Sequence, residues 1–310
     1  MRRNTMLHGV ATELQAQSSL SSRGQRRGGH RVGGEGRGRA FAHPTRSVPS
    51  KLRVCLLFGL SSALGCLGTA AAAADGCPGS GADIATDRPD VTNSSIVVPV
   101  GSLQSENGIN LSARDGARIL DGTNSRLRLG VAPCLEVLVD IPTYFAAVHG
   151  QASSGFSNVT PAVKWQISPL PGKFDLSATI GVGLPTGATR INGPGAQPYL
   201  QFPWSRELGG GWGISGMATA FFRPSDPTGK LTTELTFVIE KKVGDNADLF
   251  IEYVADYPAH ARPSQLFNSG GAYHLTPTQQ IDFHIGFGLN RNAPAYIFGI
   301  GYSFRLDGLF

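Results

Sequence analysis

The chain reads as an all-β protein, an antiparallel up-and-down transmembrane β-barrel of about 12 strands. Three observations predict it. Runs of about ten residues alternate apolar and polar side chains, the period of a strand with two different faces. Short and longer connections alternate between those runs, and an export-type segment stands ahead of them.

The export segment is "SKLRVCLLFGLSSALGCLGTAAAAADG", Ser50 to Gly76. Lys51 and Arg53 precede a charge-free run, and the small residues Thr69 to Ala74 lead into Asp75. This is the order of a cleaved secretory signal. Its leucine-rich part ends near Leu67, short of the roughly 20 apolar residues that a membrane helix needs. Cleavage near Ala74 is expected; a lipoprotein signal acylated at Cys66 is the competing reading. Residues 1–47 carry nine arginines among many glycines and serines, so they are expected to be a disordered basic leader. A translation start at Val48 would make that leader a gene-start artefact and 48–74 a signal peptide of ordinary proportions.

This division changes the meaning of the charge. The whole chain carries 27 basic and 22 acidic residues, net +5, but 11 basic and 2 acidic residues fall in 1–53. The remainder holds 16 basic and 20 acidic residues, net −4. The basic character belongs to the leader, and nucleic acid is excluded as an expected partner.

Candidate strands lie near 101–113, 124–131, 135–143, 157–167, 174–184, 196–206, 211–222, 229–242, 247–257, 264–275, 279–289 and 295–305. About ten residues is the length that a tilted strand needs to cross a bilayer. Even-to-odd links such as "APC", "LGG" and "TPT" are short, whereas odd-to-even links such as "RDGARILDG", "YFAAVHGQASSG" and "PTGATRINGPG" are longer. Periplasmic turns and extracellular loops differ in this way, and an even strand number closes the sheet without an edge. The boundaries expected are 75–100 for an N-terminal periplasmic segment and 101–310 for the barrel, placed in a bacterial outer membrane with its lipid as partner. A secreted β-sandwich, which also uses signals and alternation, is the alternative. Tyr144, Trp165, Trp204, Trp212, Tyr257, Tyr273 and Tyr302 fit interfacial girdles.

With the apolar set facing lipid, the inward set includes Glu106, Arg126, Arg128, Glu136, Asp140, Lys164, Glu234, Glu252 and Asp282. These residues either fill the lumen with ion pairs or select what passes through it. Arg126 and Arg128 are expected to pair with Glu136 and Asp140 across adjacent strands. Loops carrying Phe145, Phe156 and Ile191 are candidates for guiding apolar solutes. Cys77 and Cys134 remain after cleavage, one before the first strand and one in the "APC" turn, and are expected to pair in the oxidising periplasm. His274 and His284 point inward without ligand spacing, so no metal site is expected. The serines lack a nucleophile turn, so neither catalysis nor a cofactor is expected, and a hydrolase is the weaker alternative.

"TDRPDVTNSSIVVPVGSLQSENG" (Thr86 to Gly108), "SRLRLGVAPCLEVLVDIP" (Ser125 to Pro142), "VTPAVKWQI" (Val159 to Ile167) and "GLPTG" (Gly183 to Gly187) resemble the family of phenol-degradation meta-pathway transporters. The resemblance implies an outer-membrane barrel for passive passage of small, aromatic or apolar molecules. A blocked structural or adhesive barrel is the alternative. The chain departs from the family pattern at its end, where "RLDGLF" follows "YSF".

Overall fold

The computed structural model describes residues 77, 79–81, 83–167, 170–172, 174–224 and 230–310; the leader and signal lie outside the described residues. Fifteen strands form one antiparallel sheet: β1(Leu103–Arg114), β2(Ala117–Gly122), β3(Arg126–Ala132), β4(Leu135–Asp140), β5(Tyr144–His149), β6(Gly155–Phe156), β7(Thr160–Gln166), β8(Phe174–Gly183), β9(Gln197–Gly209), β10(Trp212–Phe222), β11(Leu231–Val243), β12(Ala247–Pro258), β13(Ser264–Thr276), β14(Gln279–Gly288) and β15(Tyr296–Leu306). A short helix, α1(Thr189–Asn192), stands between β8 and β9. The pairing of β15 with β1 closes the sheet, so the fold is a 12-stranded barrel.

The three extra strands arise because three barrel strands are interrupted at one level. The chain leaves the ladder at 123–125, 141–143 and 157–159. Below that level β3, β4 and β7 pair in sequence; above it β1 pairs with β2, β2 with β5 and β5 with β6. α1 folds against the outer end of this upper sheet. The Ala188 amide and the Asn192 side-chain amide both donate to the Phe156 carbonyl, at 3.0 and 3.1 Å. These bonds satisfy backbone acceptors that an uncovered edge would leave open.

Two expected loops are corrected here. "RDGARILDG" is mostly strand: Asp115 and Gly116, with φ of 49° and 80°, turn the chain in two residues and Ala117 starts β2. An Asp-Gly pair supplies the left-handed conformations that such a hairpin requires. "YFAAVHGQASSG" likewise begins as β5.

The two faces separate as their solvents demand. Ile251, Phe283 and Ile300 on the outer face are about half exposed, whereas Glu252, Asp282 and His284 beside them are buried in the lumen. Trp165, Trp212, Tyr273 and Tyr302 stand on the outer face near the short-turn end, and Lys241 Nζ lies 4.8 Å above the Trp212 ring. Amphipathic aromatics and lysines hold this position at a membrane interface.

Replacing Ile251 or Phe283 by Arg is expected to destabilise the barrel by about 2–4 kcal/mol near mid-membrane. The reading is the folded fraction seen by heat-modifiable gel mobility. Wild-type folded fractions for both would mean that the outer face does not meet lipid.

Candidate functional site

Residues 84–98, expected to lie in the periplasm, instead run inside the barrel as a plug. The reason is polar satisfaction: this non-periodic stretch carries donors that the lumen wall's carboxylates accept. Glu136 Oε2 accepts the Val98 amide at 2.7 Å and Glu106 Oε2 accepts the Asp87 amide at 2.9 Å. Higher in the lumen, Glu252 accepts the amides of Val91 and Thr92 and the Thr92 hydroxyl at 2.8–3.1 Å, and Asn268 donates to it as well. Thr92 Oγ1 also lies 2.5 Å from Thr236 Oγ1.

Below this point lies an ionic cluster built on β1, β3, β4 and β7. Arg128 is fully buried; its guanidinium meets Glu106 and Glu136 at 3.0 Å and Asp87 at 3.4 Å, and donates to the plug carbonyls of Ala85 and Ile96. Arg126 bridges Asp140 at 2.6 Å and Asp87 at 2.8 Å. Lys164 approaches Asp87 and Glu136 at 3.4 and 3.5 Å. Burial alone would raise the Asp87 carboxyl, but Arg128, Lys164 and Arg126 outweigh it and hold the group well below the usual carboxylate range. This anchor is therefore present at neutral pH and is lost only as pH falls through that lowered value.

Arg88 provides a second latch, pairing with Asp282 on β14 at 3.2 Å. Its guanidinium lies over Gly108 and Gly301, which face each other across the β1–β15 seam. A Cβ on Gly301 would come within 2.6 Å of Arg88 Nε and Asp282 Oδ1, so only glycine leaves this seat open. At the short-turn end Cys77 is bonded to Cys134 with a Cα separation of 4.8 Å, tying the start of the plug to the β3–β4 turn.

Above the plug one part of the lumen is apolar. Ile119, Phe145, Ile191, Val254, Leu266 and Ile297 form a buried cluster that Val91 of the plug packs against. Of the candidate loop residues, Phe145 and Ile191 belong to this roof, whereas Phe156 points outward and stacks on Tyr144. All nine candidate lumen residues face inward: Glu106, Arg126, Arg128, Glu136, Asp140 and Lys164 in the ionic cluster, Glu252 and Asp282 on the plug, and Glu234 above it. His284 lies among Asn110 and Asn268, and His274 Nε2 is 2.8 Å from Asp248 Oδ2. Among the described residues no group of His, Cys, Asp and Glu is arranged to hold a metal ion.

Two cavities flank the plug. The smaller, about 190 Å³, is walled by Tyr199, Met217 and Phe221 and reaches the interrupted strands at Asn124, Ile141 and Ser157. The larger, about 510 Å³, opens between the plug and β10–β13 on the short-turn side. Arg88, Pro89, Asp90 and Asn93 line both. Burial, and then the Glu252 and Glu240 carboxylates, push the Asp90 carboxyl well above its usual range.

The family model described as "Putative MetA-pathway of phenol degradation" matches residues 86–306, a span that includes both the plug and the barrel. The chain belongs to this family. Among solved structures, the family member is similar to the COG4313 outer membrane channel from Pseudomonas putida F1, at 14% identity and a TM-score of 0.59 over 71% of this chain and 100% of that one. This likeness shows the fold. The NanC porin (11% identity, TM-score 0.47, 66% and 100% coverage) and the CymD monoaromatic hydrocarbon channel (11%, 0.42, 68% and 90%) also match. No curated protein matches the chain significantly.

Gly301→Val is expected to push Arg88 off its seat and loosen the plug while the outer face stays intact. Limited proteolysis of the folded protein should then cut between 84 and 98 at least several-fold faster than in wild type. Unchanged resistance would show that the latch does not hold the plug. Non-reducing peptide mapping should recover Cys77 joined to Cys134. Removing both thiols should cost about 2–4 kcal/mol, because the bond closes a 57-residue separation; full alkylation without reductant would contradict it.

Proposed function

We propose that the protein is an outer-membrane channel for the passive passage of small, single-ring or similarly compact molecules, delivered to the membrane by a signal cleaved near Ala74. The observation that carries this reading is the cavity of about 190 Å³ beside the plug. A cavity of about 150 Å³ holds benzene, so the volume suffices for one ring beside the charged Arg126, Asp140 and Glu234 that also line it. The Tyr199, Met217 and Phe221 side chains supply an apolar wall, while Asn93, Gln201 and His284 supply polar groups for a ring substituent. The family's description, phenol degradation, agrees with such a solute. The export-type sequence at Ser50 to Gly76, an even-stranded closed barrel and an apolar outer band support the outer-membrane placement. We assign the protein no catalytic step: substrates of this kind cross without bond breaking.

The second reading, a structural barrel with a blocked lumen, is favoured by the plug itself, since both its ends are tied and its middle fills the lumen. Planar-bilayer recording separates the two. A channel whose plug is its resistance should show small steps in wild type and clearly larger ones when residues 84–98 are deleted together with Cys77→Ala and Cys134→Ala. A wild-type barrel that is silent, and a deletion that alone conducts, would support the structural reading.

A further inference from the structure

The two walls of the lumen differ in how their charges are met. On β3, β4 and β7 each carboxylate has a cation within 3.5 Å. The wall made by β11 and β12 is different. Glu234 faces Asp256 in register near the outer end, Glu252 lies at mid-height, and Glu240 and Asp248 lie towards the short turns. From Asp248 to Asp256 this file of carboxyls runs eight residues of one strand, about 26 Å along the chain at ~3.3 Å per residue, or roughly 20 Å of height at a strand tilt of about 40°. The plug adds Asp90, which lines both cavities beside Arg88, whose charge Asp282 meets. Among the described residues no ion pair reaches Asp90, Glu234, Glu240, Glu252 or Asp256.

A second observation concerns the outer pair. Glu234 and Asp256 are each 1% exposed, and Glu234 Oε2 and Asp256 Oδ1 have no hydrogen-bond partner among the described residues. Glu234 borders the smaller cavity. Arg114 and Arg223 act on this pair electrostatically from its outer side, and Lys242 and His274 stand near the lower end. Between those ends the file has no cation of its own. Ionised carboxyls are acceptors only, and facing carboxylates repel unless a proton or a cation comes between them. Lumen carboxylates in series are the arrangement that lets cations pass and turns anions away.

We propose that the β11–β12 wall, with Asp90 at the point where the two cavities meet, is the permeation route, and that it selects cations and neutral solutes over anions, aromatic carboxylates included. This rests on the channel reading above and adds the sign of the charge that passes. The ionic wall opposite clamps the plug by charge, and the β11–β12 wall, which meets the plug at Thr236 and Glu252, carries the solute.

The test is the reversal potential of the full mature protein in planar bilayers under an about tenfold KCl gradient. The expected sign is that of potassium, with a K⁺/Cl⁻ permeability ratio above about 3. Glu240→Gln should move the reversal potential towards zero, whereas Asp245→Asn in the exposed β11–β12 turn should not. A chloride-selective potential, or a wild-type potential in Glu240→Gln, would overturn the route while leaving passage standing. A barrel that is folded by gel mobility but silent at every voltage would overturn passage, and the route with it.

Discussion

Arg128 holds a full positive charge where its side chain has no access to solvent, and the rest of the lumen follows from that constraint. An isolated buried guanidinium is prohibitive, and a buried cation persists only with good geometry on all its donors. The wall supplies Glu106 and Glu136, and the plug supplies Asp87 together with two backbone carbonyls. Barrel and plug therefore complete each other. Without the plug, Arg128, Arg126 and Lys164 would lose Asp87, their shared counter-ion, and Glu136 would lose the Val98 amide. Removing one member of such a buried set typically costs about 3–5 kcal/mol.

The same segment that satisfies the wall divides the lumen. Its lower part is bound by charge and by the Cys77–Cys134 bond, its middle by the Glu252 carboxylate, and its Val91 meets the apolar roof. What stays open is the space beside it: the larger cavity along β11 and β12, and the smaller one between Tyr199, Phe221 and the Arg126–Asp140 pair. A plug fixed at both ends can yield only locally, so solutes must be small enough to use the existing cavities or the short movements of residues 88–93.

Much of this was legible in the sequence because lipid and lumen impose opposite chemistries on alternate residues. Ile251 against Glu252 and Phe283 against His284 announce both strand and face. Arg126 with Asp140 and Arg128 with Glu136 were legible for the same reason, since a short "APC" turn fixes the β3–β4 register. The length of the upper β1–β2 hairpin was less so: the Asp115-Gly116 turn signal sat inside a stretch whose charged residues suggested a loop. The plug left no periodic trace. "TDRPDVTNSSIVV" has no two-faced pattern because its contacts with the barrel point in several directions, and its partners lie as far away in sequence as Asp282 does from Arg88. Only the family resemblance drew the eye to that segment, without saying where it goes.

The central claim is that residues 84–98 occupy the lumen, and proximity in the native membrane tests it most directly. Thr92 and Thr236 touch through their hydroxyls across the plug–β11 contact. Cysteines at both positions should form a disulfide with each other in cells, recovered by peptide mapping as a 92–236 link beside the native 77–134 link. Free labelling of both introduced thiols by a membrane-impermeant maleimide, with no 92–236 link, would place the segment outside the barrel and contradict the account.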